Sequence, residues 1–425
     1  MNDIFHHTLP NGMRLVHRRT SSPVCYAGIM TGAGTRDEQP EENGMAHYIE
    51  HCVFKGCRTA SLRGGAEKVL TAAQIIDRVE GVGGEINAYT TKEETVFYAA
   101  APTPYFGRTV QLLADLVFRP VFPKEETDKE TGVILDEIES YNDSPSELIY
   151  DDFESLLFAG HPLALPILGT RRTLRHISRS PLAPLQWMQQ HYLADRTVVF
   201  SQGNLSFQHV IDTMTRALEN APLPYTAHPH PAAPPRSTPA CQETGQQATF
   251  RKHTHQTHVM LGARAYNIGH PKQPAATLLN HILGGSMSSR LNMRLREKEG
   301  LVYTVESQYT PLSDSGYWSV YLACEPRHKE QCVELCTEEF RRLREQRLSQ
   351  AQFHRALVQL RGQTAIAAEN QENNVLSMGK QTLYNGHATP WQETYARIAR
   401  LTPQELQETA EELLRPERLC LLAYE

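Results

Sequence analysis

The sequence predicts an α+β chain: two homologous α/β-sandwich domains, each a mixed, mainly antiparallel sheet with helices packed on it, joined by a Pro-rich linker. Three observations predict it. Strand-like and helix-like patterns alternate along all 425 residues. The stretch IARLTPQELQETAEELLRPERLCLLA (398–423) lines up without gaps on ISRSPLAPLQWMQQHYLADRTVVFSQ (177–202), placing Ile398 on Ile177, Leu406 on Leu185 and Leu414 on Leu193. Between the halves, 219–245 carries seven prolines, which fit neither a helix interior nor an inner strand and so read as linker. Self-similarity at half the chain length marks a duplicated fold. The expected domains are 1–220 and 245–425, with the linker at 221–244.

The elements follow in order. A hairpin opens the chain at 5–18: alternating residues, a Pro-Asn-Gly turn, then MRLVHR. Strands are expected at 23–31, 84–90, 94–101 and 196–202. Helices are expected at 44–54, 71–81, 104–118, 123–142, 146–157, 182–193 and 206–219. After the linker, strands are expected at 247–265, 303–311, 316–324 and 418–424. Helices fill 273–283, 287–298, 328–346, 349–369, 371–384 and, with a break, 388–415. A weaker echo sets EGLVYTVESQY and GYWSVYLA of the second half against EGVGGEINAYT and TVFYAAA of the first.

Composition narrows the function. Hydrophobic residues make up 40% and charged residues 21%, as in ordinary globular chains. The net charge is −6, and no basic block or basic–aromatic interleaving points to nucleic acid. No apolar run reaches the roughly 18 residues of a membrane span. The N-terminus lacks the charged and apolar regions of a signal peptide and is not an Arg-rich transit sequence, so a cytoplasmic location is expected. Eight scattered cysteines form no CxxC pair and read as buried thiols.

The chemistry concentrates in AHYIEHCVFKG, 46–56. His47 and His51 are four apart, so on a helix they share a face and can reach one ion. Glu50 stays on that face, placed to act as a base on water without being a ligand. A solvated helix face is the plain alternative; HxxEH arises by chance in about one chain in twenty of this make-up. A catalytic zinc usually takes a third protein ligand and keeps an open position. ETDKETGVILDEIESYND, 126–143, offers one. Glu130 and Glu137 lie two helical turns apart and face the same way, with Val133, Ile134 and Ile138 as an apolar stripe drawing the helix inward. Spacing leaves Asp136 and Glu139 open as rival ligands.

HYIEH followed by ETGVILDEIE resembles the inverzincin metallopeptidases of the M16 (pitrilysin-like) family. The resemblance covers nearly the whole chain: GMAHYIEHCVFKG, GGEINAYTTKEETVFYA, ETGVILDEI and GGSMSSRLNMRLREKEGLVYTV look like family blocks in family order. It implies a short two-domain bacterial-type member, similar to the β subunit of mitochondrial processing peptidase. It implies His47, His51 and Glu137 as ligands of one Zn²⁺ per chain, Glu50 as general base, and Glu130 as a supporting carboxylate. Arg296 and Tyr303 of LREKEGLVY match the family's Arg/Tyr element, which donates to substrate backbone or oxyanion. Asn87 and Ala88 sit at the centre of GGEINAYT, the edge strand that pairs with an extended peptide. One departure is SLRGGAEKV, 61–69, which looks like an insertion forming a surface excursion.

The family builds its chamber from four copies of the domain. A chain carrying both zinc motif and Arg/Tyr element is therefore expected to form a homodimer with composite active sites. The expected activity is a zinc-dependent endopeptidase acting on extended or unfolded peptides. The alternative is a non-catalytic or partner-dependent subunit of a larger processing complex. His253, His255 and His258 of HTHQTH do not share one strand face and read as a solvated strand.

Overall fold

The computed structural model describes residues 3–59, 68–219, 236–240, 244–252 and 254–425. Most of the expected linker, the body of the 61–69 insertion and His253 lie outside them. The described residues form two compact units.

In chain order the first half runs β1 (Ile4–Thr8), β2 (Arg14–Arg19), β3 (Val24–Thr31), α1 (Met45–Val53), β4 (Gly56–Arg58), β5 (Val69–Thr71), α2 (Ala72–Glu80), β6 (Glu85–Thr90), β7 (Thr95–Pro102), α3 (Phe106–Phe118), α4 (Lys124–Asn142), α5 (Pro145–Leu157), α6 (Arg171–Ile177), α7 (Ala183–His191), β8 (Thr197–Gly203) and α8 (Phe207–Leu218). The second half runs β9 (Gln247–Phe250), β10 (Thr257–Arg264), α9 (Gln273–Gly284), a π-helix at Asn292–Lys298, β11 (Val302–Pro311), β12 (Gly316–Cys324), α10 (Lys329–Glu345), α11 (Gln350–Ala367), α12 (Gln371–Asn385), α13 (Trp391–Ile398), α14 (Pro403–Leu413) and β13 (Cys420–Tyr424).

The sheet of unit one has the order β1-β2-β8-β3-β7-β6, and that of unit two β11-β12-β10-β13-β9. Each has one parallel pair, β2 with β8 and β13 with β9. Leaving out β1, the two orders superimpose as β2/β9, β8/β13, β3/β10, β7/β12 and β6/β11. The stronger echo read from the sequence sets β13 on β8, and the weaker one sets β11 on β6 and β12 on β7.

Both faces of each sheet are buried, and alternation along the strands feeds both. In unit one, Phe97, Ala99 and Val199 join a core with α1, α3, α7 and α8. Their neighbours Val96, Tyr98, Val198 and Phe200 face the other way, against Val375 and Met378 of α12. In unit two, Val259, Leu261 and Val320 meet the helices of the second half. Met260, Tyr321 and Leu422 face Ile149 and Phe153 of α5.

The halves therefore trade a helix. Unit one comprises 1–139, 165–236 and 368–390; unit two comprises 140–164, 237–367 and 391–425. The continuous domains 1–220 and 245–425 need correcting for these two segments. The physical reason is that the central strands of each sheet bury both faces, and the second face of each sheet is covered by a helix from the opposite half. Gly379 makes one contact possible: a Cβ there would come within 2.8 Å of the Phe200 ring.

Three other expectations change. The strand at 247–265 is two strands, β9 and β10, which lie on opposite sides of β13. The helix at 287–298 is a π-helix over Asn292–Lys298. The short antiparallel ladder β4–β5 and helix α6 were not foreseen. No helix among the described residues is long and apolar enough to cross a membrane.

Candidate metal centre

Helix α1 is short and buried on most sides, through Met45, Ala46, Tyr48, Ile49, Cys52 and Val53. That fixes the direction in which its polar residues leave the core. His47 and His51 meet edge to face with ring centroids 4.5 Å apart. Helix α4 brings Glu137 opposite them. Glu137 Oε2 lies 3.8 Å from His47 Nε2 and 3.5 Å from His51 Nε2. One donor atom from each of the three lies within 4.8 Å of the others.

The rest of α4 separates the candidates that spacing left open. Glu139 points to Arg171 of α6, at 2.6 Å, and Asp136 is exposed outside the cluster. Glu130 is buried and accepts from His51 Nδ1 at 2.8 Å and from Lys55 Nζ at 2.6 Å. It orients His51 and is not one of the three that converge. The expected apolar stripe is narrower than read. Ile134 is fully buried and Ile138 packs against the core, but Val133 is exposed.

The donor set suits zinc: two imidazole nitrogens and one carboxylate oxygen, with Zn–N and Zn–O distances of about 2.0–2.2 Å. A carboxylate on His51 Nδ1–H leaves the Nε2 lone pair facing the centre, as metal-binding imidazoles usually have it. Burial first, and His51 second, hold His47 down to about 3, so at neutral pH it is in the neutral form that ligates. Its Nδ1 is buried without a hydrogen-bond partner among the described residues.

Glu50 accepts from the Thr90 hydroxyl at 2.6 Å. Burial raises its pKa, while Thr90 and His51 pull it back and Glu137 adds to the rise. A carboxyl moved up from its usual range is better matched to proton transfer near neutral pH. Thr90 ends β6, one of the two edge strands of the sheet of unit one, which pairs Asn87 with Tyr98 and Ala88 with Phe97 of β7. Asn87 is exposed and Ala88 half-buried against the core.

Arg296 and Tyr303 belong to unit two. Arg296 is carried by the π-helix, with Nε 3.9 Å from Glu297. Tyr303 is 82% exposed, which removes the alternative of a core aromatic. It sits at a register break between Val302 and Thr304, and such bulges re-aim side chains. His258 of the histidine triple bonds Tyr321 at 2.9 Å, and His255 is exposed.

Sequence reasoning missed Thr90, Lys55 and a third residue, Glu38, whose carboxylate caps α1. Each acts on a residue far along the chain or outside helical periodicity, so no spacing announces it.

Comparisons with known proteins agree with this geometry. The family profile described as Insulinase (Peptidase family M16) matches 14–171, and that described as Peptidase M16 inactive domain matches 185–360. An uncharacterized zinc protease of Streptomyces coelicolor is 31% identical over 408 residues, covering 96% of this chain and 86% of that protein. One from Bacillus subtilis is 30% identical over 381 residues, covering 89% and 88%. The fold matches a protease from Helicobacter pylori with TM-score 0.88 at 19% identity, covering 99% of both chains. It also matches a peptidase M16 inactive domain from Pseudomonas fluorescens, with TM-score 0.87 at 19% identity, covering 100% of this chain and 98% of that one. A two-unit α/β fold with a His-His-Glu centre defines the class. The chain belongs to peptidase family M16.

Proposed function

We propose that the chain is a zinc-dependent endopeptidase that cleaves extended or unfolded peptides, with one zinc per chain held by His47, His51 and Glu137. The observation that carries the reading is the convergence of these three donors, with His51 oriented by Glu130 and Glu50 on the same helix. Zinc bound there supplies Lewis acidity to a peptide carbonyl and makes water easier to deprotonate. Glu50 takes the proton from the attacking water and returns it to the leaving amine. Thr90 holds one oxygen of Glu50, which limits the directions the carboxylate can take. The β6 edge, with Asn87 and Ala88, offers backbone groups for an extended peptide, a mode that asks little of side-chain sequence.

The proposal includes a homodimer in which Arg296 and Tyr303 of one chain serve the zinc site of the other. It is supported by the presence of both elements in one chain, by the exposure of Tyr303, and by the prevalence of symmetric dimers. The endopeptidase reading is tested by following cleavage of an unfolded polypeptide before chelation, after it, and after zinc is returned. Loss and recovery of cleavage are expected. Cleavage that survives complete removal of metal overturns the reading.

A further inference from the structure

The start of α1 is built unlike an ordinary helix N-terminus. The residue at the cap position is Gly44, with φ +94°, a conformation that favours glycine. A Cβ there would also sit 2.9 Å from both Gly169 Cα and Leu168 O. Glycine is thus required twice over, and it has no side chain to accept the free N–H groups of the first turn. Two N–H groups there nevertheless find an acceptor. Glu38, six residues upstream, folds back so that Oε2 accepts from Gly44 N–H at 2.8 Å and Oε1 from Ala46 N–H at 2.8 Å. Asn43 Nδ2 donates to Glu38 Oε2 at 3.0 Å and to Pro166 O at 2.9 Å. Glu38 as a whole is 2% exposed.

The loop that presents Glu38 is itself anchored. Its neighbour Asp37 pairs with Arg196 at 2.9 Å and with Arg236 at 2.7 Å. Glu38 N–H donates to Thr35 O at 3.1 Å. Burial pushes the Glu38 carboxyl up, and its three donors pull it back toward the ionised form that accepts from them.

We infer that Glu38 is a positioning residue for the metal centre: by capping α1 at Gly44 and Ala46 it sets the backbone of the turn that presents His47. The inference rests on the proposed zinc site. Helix α1 has nine residues, so its first turn already contains one ligand, and Ala46 is the residue before it. His51 has side-chain support from Glu130, whereas the Nδ1 of His47 has no partner among the described residues. The placement of His47 therefore depends on its backbone, and the backbone there depends on Glu38.

The test is zinc affinity of chelator-stripped protein, read by competition with a chromogenic chelator, for wild type and Glu38→Gln. The amide keeps the shape but turns an NH2 group toward one of the N–H donors. Zinc affinity is expected to fall about tenfold or more, the range for residues that orient ligands, with kcat reduced and KM unchanged at saturating zinc. Glu41→Gln, at an exposed position of the same loop, is expected to bind zinc as wild type does. Asn43→Ala, which removes one donor to Glu38, is expected to shift zinc affinity the same way by less, and serves if Glu38→Gln does not fold. Folded Glu38→Gln with wild-type zinc affinity overturns the inference, as does unchanged affinity in Asn43→Ala should the first variant not fold. A wild-type chain that binds no zinc removes the site reading itself, and this inference with it.

Discussion

His51 Nδ1 and Glu130 Oε1 meet at 2.8 Å across α1 and α4, and Lys55 Nζ holds the other oxygen of Glu130 at 2.6 Å. The three side chains form a line that ends at the metal centre. The ring of His51 is fixed by a carboxylate, and that carboxylate by an ammonium group. Replacing Glu130 with Gln is expected to weaken zinc binding by about 10–100-fold without removing it, since the three donors remain. Lys55→Met should weaken it in the same direction by less. Competition titration with a chelator measures both; wild-type affinity in Glu130→Gln would mean that His51 needs no such support.

A second expectation concerns pH. His17 and His191 lie in the core of unit one, and burial holds each down to about 4. In the unfolded chain both return to about 6.5. As pH falls below that value the unfolded chain takes up protons that the fold refuses, so the share of stability that depends on these two histidines drops between pH 6.5 and 4 and levels off below. From pH 7 to pH 5 the loss is on the order of 2 kcal/mol per histidine. Urea unfolding of metal-free protein at the two pH values is the measurement, with a His17→Gln, His191→Gln double variant as comparison. An equal loss in the double variant would contradict the assignment.

The exchanged helix gives a third. Gly379 on α12 lies where a Cβ would meet the Phe200 ring at 2.8 Å. Gly379→Val is expected to cost about 1–3 kcal/mol by overpacking. Gly362→Ala on α11, where nothing lies within 4 Å of the added atom, should be neutral or stabilise by up to about 1 kcal/mol. Denaturant midpoints decide. Equal effects at the two glycines would show that α12 does not press on the sheet.

Much of this was legible in the sequence. The ungapped echo of 398–423 on 177–202 pairs β13 with β8, which occupy the same place in two sheets of the same order. His47 and His51 could be paired because helical spacing is local, whereas spacing left Glu137 beside Asp136 and Glu139 and only the family resemblance singled it out. The exchange of α5 and α12 could not be found that way. Both helices have apolar faces, but nothing in Val375 or Phe153 says which of two similar sheets it covers. The split at 247–265 was hidden for a related reason: β9 and β10 follow each other in sequence but pair on opposite sides of β13. Glu38, Lys55 and Thr90 act through single contacts that no periodicity marks, and Glu38 can be recognised only once Gly44 is seen to leave the helix without a cap.

The dimer proposal makes a fourth prediction. Glu50→Gln and Tyr303→Phe chains, each inactive or nearly so alone, should regain activity when mixed under conditions that allow subunit exchange, because mixed dimers then hold one complete site. At equal mixing, about half the dimers are mixed, which sets the scale of recovery for a two-fold assembly. Activity that stays at parental levels despite exchange, shown by tagged chains, would rule out sharing between chains.

The central claim is that Glu50 drives peptide hydrolysis beside a zinc held by His47, His51 and Glu137. Its most direct test is a mixed peptide library incubated with zinc-loaded wild type and with zinc-loaded Glu50→Gln, the fragments read by mass spectrometry. Both proteins should carry one zinc per chain. Wild type should cut within peptide chains, and the variant should be slower by about 10²–10⁴-fold. Equal cleavage by the two, or none by zinc-loaded wild type, would contradict the account.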